Sequence, residues 1–572
     1  MTSSEWHPLL NEKIASVDGL DVNNERLGHT GTTRARSLGS PFRKVILLPL
    51  FGAIALYSSY KLCARYISDR ATWPMMALEN SASLNYTCTP GKPCWPSTDE
   101  WDAFNQSVSG HLKLTVPWAA PCYSDPSSDQ CQDVAKNYGD GVSRTKQYGS
   151  MEFLDWESLY PALGCNTRYE NIGEIGAGIQ AQEAWEAFEP LGMLVTVGAV
   201  ASVGIAGGFG QGGGHGPLGP KYGLMVDQAV EFDVVTADGK KRTINECSDP
   251  DLFWAMRGGG GGSYAVLTSY KFQLHPAVPI NVYSFQAHFP APENITESKI
   301  HRDILTGLAT SQPYFGENGV AGFNFVLPDH VVFLEVMPST DIEAIKNVTA
   351  DFHDLLTHMP GLEITENEYH SFEKFSQWHE FTERPSIARN GPVGLGFNGA
   401  GRFIPRDLFT TPDKIDQLVS AVVTAMQFSN SNNGGGGAQL YATGPDNNPD
   451  NGKTSVNPIW RDSLWEIVMG QFWMTETSHE MRAQIQKTVS ATIEPLKALT
   501  PGGGCYLNEG DWTEENWQET FFGTQYDKLL AIKQRYDPTG LFNCWKCVGW
   551  TGYDDPKYSC YAHTLEDLQP RA

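Results

Sequence analysis

Two glycine-rich segments, 198–216 and 258–262, contain the residue types in this sequence that are best suited to holding a ligand. A glycine adds no side-chain contact and costs backbone entropy, so such density indicates backbone that turns with positive φ or approaches a bulky group closely. Backbone N–H groups that no side chain blocks can bind the pyrophosphate of a cofactor, which we predict here. A flexible low-complexity loop is the alternative, and the ordered aromatic, aliphatic and charged residues between the glycines disfavour it.

A nicotinamide-cofactor site is another interpretation of these glycines. Gly208, Gly210 and Gly213 match the pattern G-x-G-x-x-G, and Asp227 follows further along the chain. Such a site requires the glycines to open a helix. The glycines and prolines of residues 214–220 follow instead, and these residue types disfavour a helix. The nicotinamide interpretation is therefore disfavoured.

A cysteine pair and a histidine could also do chemistry. Cys544 and Cys547 form a C-x-x-C pattern close to the C-terminus, without the βαβ context of a redox motif, so disulfides or buried thiols are predicted. No second histidine or acidic residue lies at metal-like spacing from His215. We therefore predict no metal site and interpret His215 as structural or cofactor-adjacent.

Charge and hydropathy restrict the partners and the compartment. The net charge of −25 at pH 7 should repel nucleic acid. Residues 45–67 begin with an uncharged apolar run and predict a transmembrane signal anchor, with a buried core helix as the alternative. Basic residues precede this run, which predicts that residues 1–44 are a disordered cytoplasmic tail and that the rest is lumenal or extracellular.

The cysteines and the glycosylation sequons agree with the secretory pathway. The chain has 11 cysteines, and all but Cys63 lie beyond the predicted anchor, which predicts disulfides whose pairing the sequence leaves open. Sequons of the form N-x-Ser/Thr occur after the anchor and not before it. The predicted glycosylation sites are Asn85, Asn105, Asn294 and Asn347.

The elements that would position the glycines are short strands separated by glycine turns. Runs rich in β-branched residues at 194–197, 231–236 and 265–272 predict strands. Residues 237–239, Ala-Asp-Gly, predict a hairpin turn, and residues 180–188 predict a short amphipathic helix.

The sequence pattern changes over residues 280–500. Strand runs alternate there with helical stretches, the last of which is expected to end at Pro495, and this mixture predicts an α+β fold with an antiparallel sheet. Residues 429–457 are rich in glycine and asparagine and predict a long loop. That loop is either a mobile lid over the site or an inert insertion.

Taken together, these motifs resemble the FAD-linked oxidoreductases of the berberine-bridge-enzyme type, which have the vanillyl-alcohol-oxidase (PCMH-type) flavin fold. The matching segments are Val203-Gly-Ile-Ala-Gly-Gly, Gly212-Gly-Gly-His-Gly, Tyr222-Gly-Leu, Arg257-Gly-Gly-Gly-Gly-Gly, Gly503-Gly-Cys-Tyr-Leu-Asn-Glu and Tyr536-Asp-Pro-Thr-Gly-Leu-Phe-Asn. The resemblance implies an α+β protein. Its expected parts are a cysteine- and proline-rich leader (83–165), an FAD-binding domain (166–279), a substrate domain (280–500) and a C-terminal return to the FAD-binding domain (501–562).

The resemblance also implies the site and the reaction. FAD would take a hydride from the substrate at flavin N5 and pass the electrons to O2. Tyr506 or Glu509 would deprotonate the substrate, expected to be a fungal alkaloid, including ergot-type indole alkaloids, or a polyketide alcohol. The residues expected to bind the cofactor are Gly198, Val203, Gly204, Gly207, Gly208, Gly212, His215, Val266 and Asn543.

The sequence departs from this family just before the glycine segments. Members have an earlier βαβ segment whose Gly-His histidine is linked covalently to the flavin, whereas here Cys165 leads almost at once into residues 172–178. We therefore predict that the first half of the FAD-binding domain is missing and that histidyl attachment is lost. A gene-model or splicing loss, an inactive truncation and non-covalent FAD binding are the three explanations. The alternative function is a catalytically inactive membrane glycoprotein derived from such an enzyme.

Overall fold

The computed structural model describes residues 95–112, 121–122, 128–137, 171–383, 396–446, 452–474, 477–553, 555 and 558. The predicted tail (1–44), the predicted anchor (45–67) and Asn85 lie outside these residues. Among the described residues, no helix has both the length and the apolar character needed to cross a membrane.

The strands of the described residues form two main sheets and one small two-stranded sheet. They are β1 (Ile172–Gly176), β2 (Met193–Leu194), β3 (Ala229–Thr236), β4 (Lys241–Asn245), β5 (Ala265–Gln273), β6 (His275–Pro276), β7 (Ile280–His288), β8 (Ala321–Val326), β9 (His330–Pro338), β10 (Glu363–Phe372), β11 (Gly396–Pro405), β12 (Ala438–Ala442) and β13 (Ser463–Trp473).

Helices precede, cover or follow these sheets. They are α1 (Thr98–Ser107), α2 (Asp129–Asn137), α3 (Ala181–Phe188), α4 (Pro250–Ala255), α5 (Lys299–Glu317), α6 (Ile342–His358), α7 (Phe375–Thr382), α8 (Pro412–Ser431), α9 (His479–Thr492), α10 (Glu494–Leu499), α11 (Trp517–Phe522) and α12 (Tyr526–Tyr536).

A four-stranded antiparallel sheet, in the order β1-β5-β3-β4, is the framework for the glycine segments. The predicted hairpin turn between β3 and β4 is confirmed, and Gly239 adopts φ +73° there, a conformation that favours glycine. Phe232 and Tyr270 are fully buried in the core of this sheet, with ring centroids 4.5 Å apart. The predicted helix is confirmed as α3, whose Trp185 packs into the same core.

The C-terminal segment completes the core of this first sheet. The buried Lys533 on α12 donates from Nζ to the Ser263 carbonyl at 2.6 Å and to the Phe542 carbonyl at 2.7 Å, and it forms an ion pair with Asp537 at 2.5 Å. Lys533 and Ser263 are 270 residues apart in the chain. The last described residues therefore belong to the same structural unit as the glycine segments.

The second sheet has seven antiparallel strands in the order β10-β7-β9-β8-β12-β13-β11. One face packs against α5, α6, α8 and α9 through a continuous apolar cluster. The opposite face carries Phe323 and Leu334, which share a second apolar cluster with the core of the first sheet. Functional side chains on that face therefore point toward the glycine segments.

The prediction of a long loop over residues 429–457 is wrong for the centre of that segment. Residues Ala438–Ala442 form β12, which is hydrogen-bonded between β8 and β13 in the middle of the second sheet. Five residues between glycine- and asparagine-rich flanks are too few to give a reliable periodic signal, and the neighbouring strands select this conformation. The expected stop at Pro495 also needs correction, since α9 ends at Thr492 and Pro495 lies in the first turn of α10, where proline is favoured.

The cysteines of the described residues divide into disulfides and free thiols. Cys122–Cys131 and Cys544–Cys547 are disulfide-bonded, which confirms the prediction of disulfides. Cys247 is an exposed thiol and Cys505 a buried one, so the even count of cysteines beyond the anchor does not mean complete pairing.

Candidate active site

The first glycine segment makes two short helical turns, Ile205–Phe209 and Gly210–Gly212, and then reverses direction. Gly213 (φ +148°) and Gly214 (φ +79°) make this reversal. A Cβ atom on Gly213 would lie 2.3 Å from the ring of Trp460, so a side chain at this position would displace the indole. The reversal brings His215 to the face of the second sheet.

The two glycine segments contact each other directly. The backbone N–H groups of Gly258 and Gly260 donate to the Gln211 carbonyl at 2.9 and 3.1 Å. A Cβ on Gly261 would lie 3.1 Å from the Cα of Gly208. The segments therefore form one continuous surface of backbone.

A C-terminal Tyr-Leu-Asn-Glu segment, residues 506–509, lies against this surface. Asn508 donates from Nδ2 to the Gly208 carbonyl at 3.0 Å and to the Tyr506 hydroxyl at 2.6 Å. The nearest atoms to a Cβ on Gly212 would belong to Asn508 and Leu507. The first glycine segment and the C-terminal segment 506–509 therefore contact each other at the site.

His215 lies at the centre of the polar part of the site. Its Nδ1 is 2.7 Å from the Thr443 hydroxyl, and its Nε2 is 2.8 Å from Oε1 of Glu509. The rings of Tyr506, Tyr441 and Trp460 surround the imidazole at centroid distances of 5.3, 5.9 and 6.0 Å. The imidazole is thus held at both nitrogens, which fixes its orientation.

Glu466 on β13 is a functional candidate that the sequence reasoning missed. Its side chain is 4% exposed, and Oε1 accepts a hydrogen bond of 2.8 Å from the Tyr506 backbone N–H. Burial, and then the nearby Glu509 carboxylate, raises the pKa of Glu466 well above its ordinary value, although the Tyr506 bond acts in the opposite direction. A single acid within the apolar run Leu464–Met469 was the available signal.

Glu466 and Glu509 each have one oxygen available for a reacting group. Oε2 of each is buried and has no hydrogen-bond partner among the described residues. A buried oxygen without a partner costs free energy, so a substrate hydroxyl or amine that donated to it would remove that cost. Burial raises the pKa of the Tyr506 and Tyr441 phenols, so these groups act as proton donors at neutral pH. The geometry favours the carboxylates as bases over Tyr506.

The same three residues have the ligand types of a metal centre. One potential ligand atom from each of His215, Glu466 and Glu509 lies within 4.8 Å of the others. No acidic residue lies at metal-like spacing from His215 in the sequence, and the acidic partners of His215 are near in space and distant in sequence. Nε2 of His215 is already engaged by Glu509, and Oε1 of Glu466 by Tyr506. We interpret the group as a proton-transfer network.

The other predicted cofactor residues lie in different surroundings. Gly204 is exposed, with no atom within 4 Å of its Cβ position, whereas Gly198 lies 3.2 Å from the Phe209 ring by the same measure. Val203 bonds through its backbone to Val200 and Ala181. Val266 pairs with Val235 on β3. Asn543 bonds with Thr551 and Tyr558 in the C-terminal segment, so its recorded partners are not in the glycine segments.

These residues fit one wall of an FAD site. Gly204 is exposed with no atom within 4 Å of its Cβ position, which is what close approach of a flat ring system requires, whereas Gly208 and Gly212 face Asn508. The unpartnered carboxylate oxygens of Glu466 and Glu509 lie beside this wall, where a substrate would meet the ring. The fit concerns this wall alone, since residues 138–170 lie outside the described part of the chain.

Comparisons with known proteins match two segments of the chain to protein families. Residues 169–245 match the family described as FAD binding domain, and residues 505–548 match the family described as Berberine and berberine like. The FAD-linked oxidoreductase ZEB1 of Gibberella zeae is 28% identical, over 82% of this chain and 93% of that protein. The FAD-linked oxidoreductase patO of Aspergillus clavatus is also 28% identical, over 87% and 96%.

Solved structures agree in fold. The VAO-type flavoprotein MtVAO615 from Myceliophthora thermophila superposes with a TM-score of 0.67 at 22% identity, over 81% of this chain and 97% of that one. A chitooligosaccharide oxidase superposes with a TM-score of 0.54 at 18% identity, over 67% and 78%. The fold and the site define an FAD-dependent oxidoreductase with the VAO/PCMH-type flavin fold. Within that class, two segments of the chain match the FAD-binding and berberine-like families, and its relatives are fungal FAD-linked oxidoreductases.

Proposed function

We propose that this protein oxidises an alcohol or amine of a small fungal secondary metabolite, an alkaloid or a polyketide, with O2 as the electron acceptor. An ergot-type indole alkaloid is one specific candidate. The observation that supports this proposal is the pair of buried carboxylate oxygens of Glu466 and Glu509 beside the glycine wall. When bound, FAD supplies the two-electron chemistry, accepting a hydride from the substrate and passing the electrons to O2.

Residues of this chain would bind the cofactor, accept the substrate proton and orient the proton acceptor. Gly204, Gly207, Gly208 and Gly212 would hold the flavin with their backbone. Glu509 would accept the proton of the substrate hydroxyl or amine on Oε2, while its Oε1 stays paired with His215 at 2.8 Å. The Thr443 hydroxyl fixes the other nitrogen of that imidazole, so the pair is positioned before the substrate arrives.

Non-covalent attachment of FAD is part of the proposal. The alignment with ZEB1 runs over 563 positions but uses only 82% of the 572 residues of this chain, so several tens of residues of the relative face a gap here. We infer that these residues correspond to the segment before residue 166, with its attachment histidine. A cofactor held by backbone contacts alone should leave the protein on denaturation.

A visible spectrum tests the proposed function. Full-length protein purified with excess FAD should show flavin absorbance near 450 nm, and acid precipitation should release the FAD into the supernatant. A flavin that stays with the precipitate would contradict non-covalent binding. Intact protein that remains colourless after incubation with FAD would favour the alternative, a catalytically inactive membrane glycoprotein.

The location of the protein is a separate proposal. We propose that residues 45–67 anchor the chain in a membrane of the secretory pathway and that the catalytic part is lumenal or extracellular. The apolar composition of this segment and the two disulfides of the described residues support it. Asn347 is exposed on α6, where a glycan can be accommodated, whereas the Asn294 side chain caps the 3₁₀ turn Ile295–Glu297.

A further inference from the structure

A segment between β12 and β13, residues 452–462, lies across both glycine segments. Its first half belongs to the long loop that the sequence pattern predicts, yet most of that half is buried. Ser455 donates from its backbone N–H to the Arg257 carbonyl at 2.8 Å. A Cβ on Gly258 would lie 2.2 Å from the backbone nitrogen of Val456. The 452–462 segment therefore packs directly on the second glycine segment.

The same segment reaches the first glycine segment through Trp460. This residue lies in the 3₁₀ turn Pro458–Asp462 and is 4% exposed. Its ring occupies the space beside Gly213, and its centroid is 4.8 Å from that of Tyr506 and 6.0 Å from that of His215. The indole therefore limits where the imidazole can lie.

An ion pair next to Trp460 joins the 452–462 segment to the first glycine segment. Arg461 donates from Nη1 and Nη2 to the two carboxylate oxygens of Asp227, at 2.8 and 2.6 Å. The two side chains are only 14% and 12% exposed. Nη2 of Arg461 also donates to the hydroxyl of the buried Thr454 at 3.2 Å. Two parallel charge-assisted hydrogen bonds of this kind fix both distance and angle.

Asp227 also holds the backbone that supports the glycine reversal. Its Oδ2 accepts a hydrogen bond of 2.8 Å from the Leu224 backbone N–H. The backbone N–H groups of Met225 and Val226, within this capped turn, donate at 2.8 and 3.1 Å to the two glycine carbonyls of the reversal. Asp227 thus connects Arg461 on one side to the reversal on the other.

These contacts give Asp227 a role different from the one its spacing suggests. In a nicotinamide site, an acidic residue at this spacing would accept hydrogen bonds from a ribose. Here both carboxylate oxygens accept from Arg461, and one of them also accepts from Leu224. The carboxylate is therefore engaged within the protein.

We propose that Asp227 and Arg461 are positioning residues for the active site. Their ion pair holds the 452–462 segment against the glycine reversal, and it thereby fixes the Trp460 indole beside His215. The orientation of His215, which pairs with Glu509, then depends on two residues that do not touch it. This inference rests on the proposed function in treating the site as catalytic.

Two measurements on the full-length protein, with and without FAD, test this role. The first is hydrogen exchange of the peptide that contains Met225 and Val226, whose amides bond to the reversal. The second is the rate at which diethyl pyrocarbonate acylates His215, followed by mass spectrometry of its peptide. Asp227→Asn removes the charge and keeps the shape, and it should raise both rates about tenfold as the reversal opens more often. Arg461→Lys keeps the charge without the planar fork, so it should give a smaller increase.

A double variant and a control separate positioning from loss of stability. Removing one partner of a buried ion pair can unfold a protein, whereas apolar residues of similar volume in place of both are often tolerated. Asp227→Leu with Arg461→Met should therefore stay folded and still raise both rates. Glu231→Gln breaks the buried pair of Glu231 and Lys271, which lie 2.7 Å apart on the first sheet, and should leave His215 reactivity unchanged.

The outcomes distinguish this inference from the proposed function. Unchanged rates in Asp227→Asn and in the double variant, both with native melting temperatures, would overturn the inference. An equal rise in Glu231→Gln would also overturn it, because the effect would then be a general loss of stability. Raised rates in a protein that never acquires flavin absorbance would support the positioning role while the proposed function fails. Flavin absorbance with unchanged rates gives the reverse result.

Discussion

Glu466 and Glu509 have different surroundings at the residue scale, and these surroundings assign different tasks to them. Glu466 is buried and accepts a backbone hydrogen bond, whereas the Glu509 side chain is 22% exposed and pairs with His215. Burial and the Glu509 charge raise the pKa of Glu466, which favours the protonated form of Glu466. The more exposed Glu509 is therefore the candidate base, and Glu466 the neutral neighbour.

Replacing the base tests this assignment. Glu509→Gln keeps the size of the side chain and a hydrogen bond to His215 but cannot accept the substrate proton. We expect kcat to fall by about 10²- to 10⁴-fold, the usual contribution of a positioned base, with the flavin spectrum retained. The rate of flavin reduction measures this directly. Glu515→Gln changes an exposed glutamate nearby and should leave the rate unchanged; full activity in Glu509→Gln would assign the base elsewhere.

At the scale of elements, two features determine stability. One is the conformation of the glycine reversal, and the other is a buried polar group of the second sheet. The reversal depends on positive φ at Gly213 together with contact from Trp460. In the second sheet, strand β9 carries the fully buried carboxyl group of Glu335. Both features can be changed at a single position.

Gly213→Ala is expected to damage the glycine wall. The new Cβ would lie 2.3 Å from the Trp460 ring, at a φ of +148° that an L-residue rarely adopts. Together these effects should cost about 1–3 kcal/mol of unfolding free energy and reduce bound flavin. Chemical denaturation and the ratio of absorbance at 450 nm to 280 nm measure the two effects. Gly239→Ala, at φ +73° with open space around it, isolates the cost of the backbone conformation; equal losses in both variants would contradict the contact with Trp460.

Glu335→Gln is expected to change how stability depends on pH. Burial raises the pKa of Glu335 from 4.5 to about 8 in the folded protein. Between these values the folded state holds a proton that the unfolded state releases, so the free energy of unfolding falls as pH rises, by at most about 1.4 kcal/mol per pH unit. The variant should therefore be more stable than the parent at pH 8 and similar at pH 4, as measured by urea denaturation. Glu363→Gln, at an exposed position, is the control, and a parallel pH profile for parent and Glu335→Gln would refute the expectation.

The sequence predicted elements that local residues determine, and it failed for elements whose conformation depends on residues distant in the chain. The β3–β4 hairpin and α3 follow from local residues, since Ala-Asp-Gly makes the turn and spaced apolar residues mark the helix. β12 is five residues whose neighbours on both sides create the strand. Glu466 acquires its role from Tyr506 and Glu509, some forty residues away in the chain. No local pattern encodes such a meeting.

At the scale of the whole molecule, the proposed membrane anchor at residues 45–67 would direct the enzymatic part to the secretory pathway. The full chain, expressed in a fungal secretory host, should fractionate with membranes and gain electrophoretic mobility on endoglycosidase treatment. Asn347→Gln should reduce that shift by one glycan, because Asn347 is exposed on α6. Asn294→Gln disturbs a capping residue and should mainly lower the melting temperature. A cytosolic protein without any glycosidase shift would contradict the proposed location.

The contact between Lys533 and Ser263 also fixes an order of events during synthesis. While a ribosome is still translating the region after residue 263, the first sheet lacks the α12 residues that close its core, and it must wait for some 270 further residues. Long-range closure of this kind slows folding and prolongs the exposure of apolar surface. Cofactor incorporation is consequently a post-translational step. Until α12 has been synthesised, chaperones of the compartment into which the chain is released have to protect the incomplete first sheet.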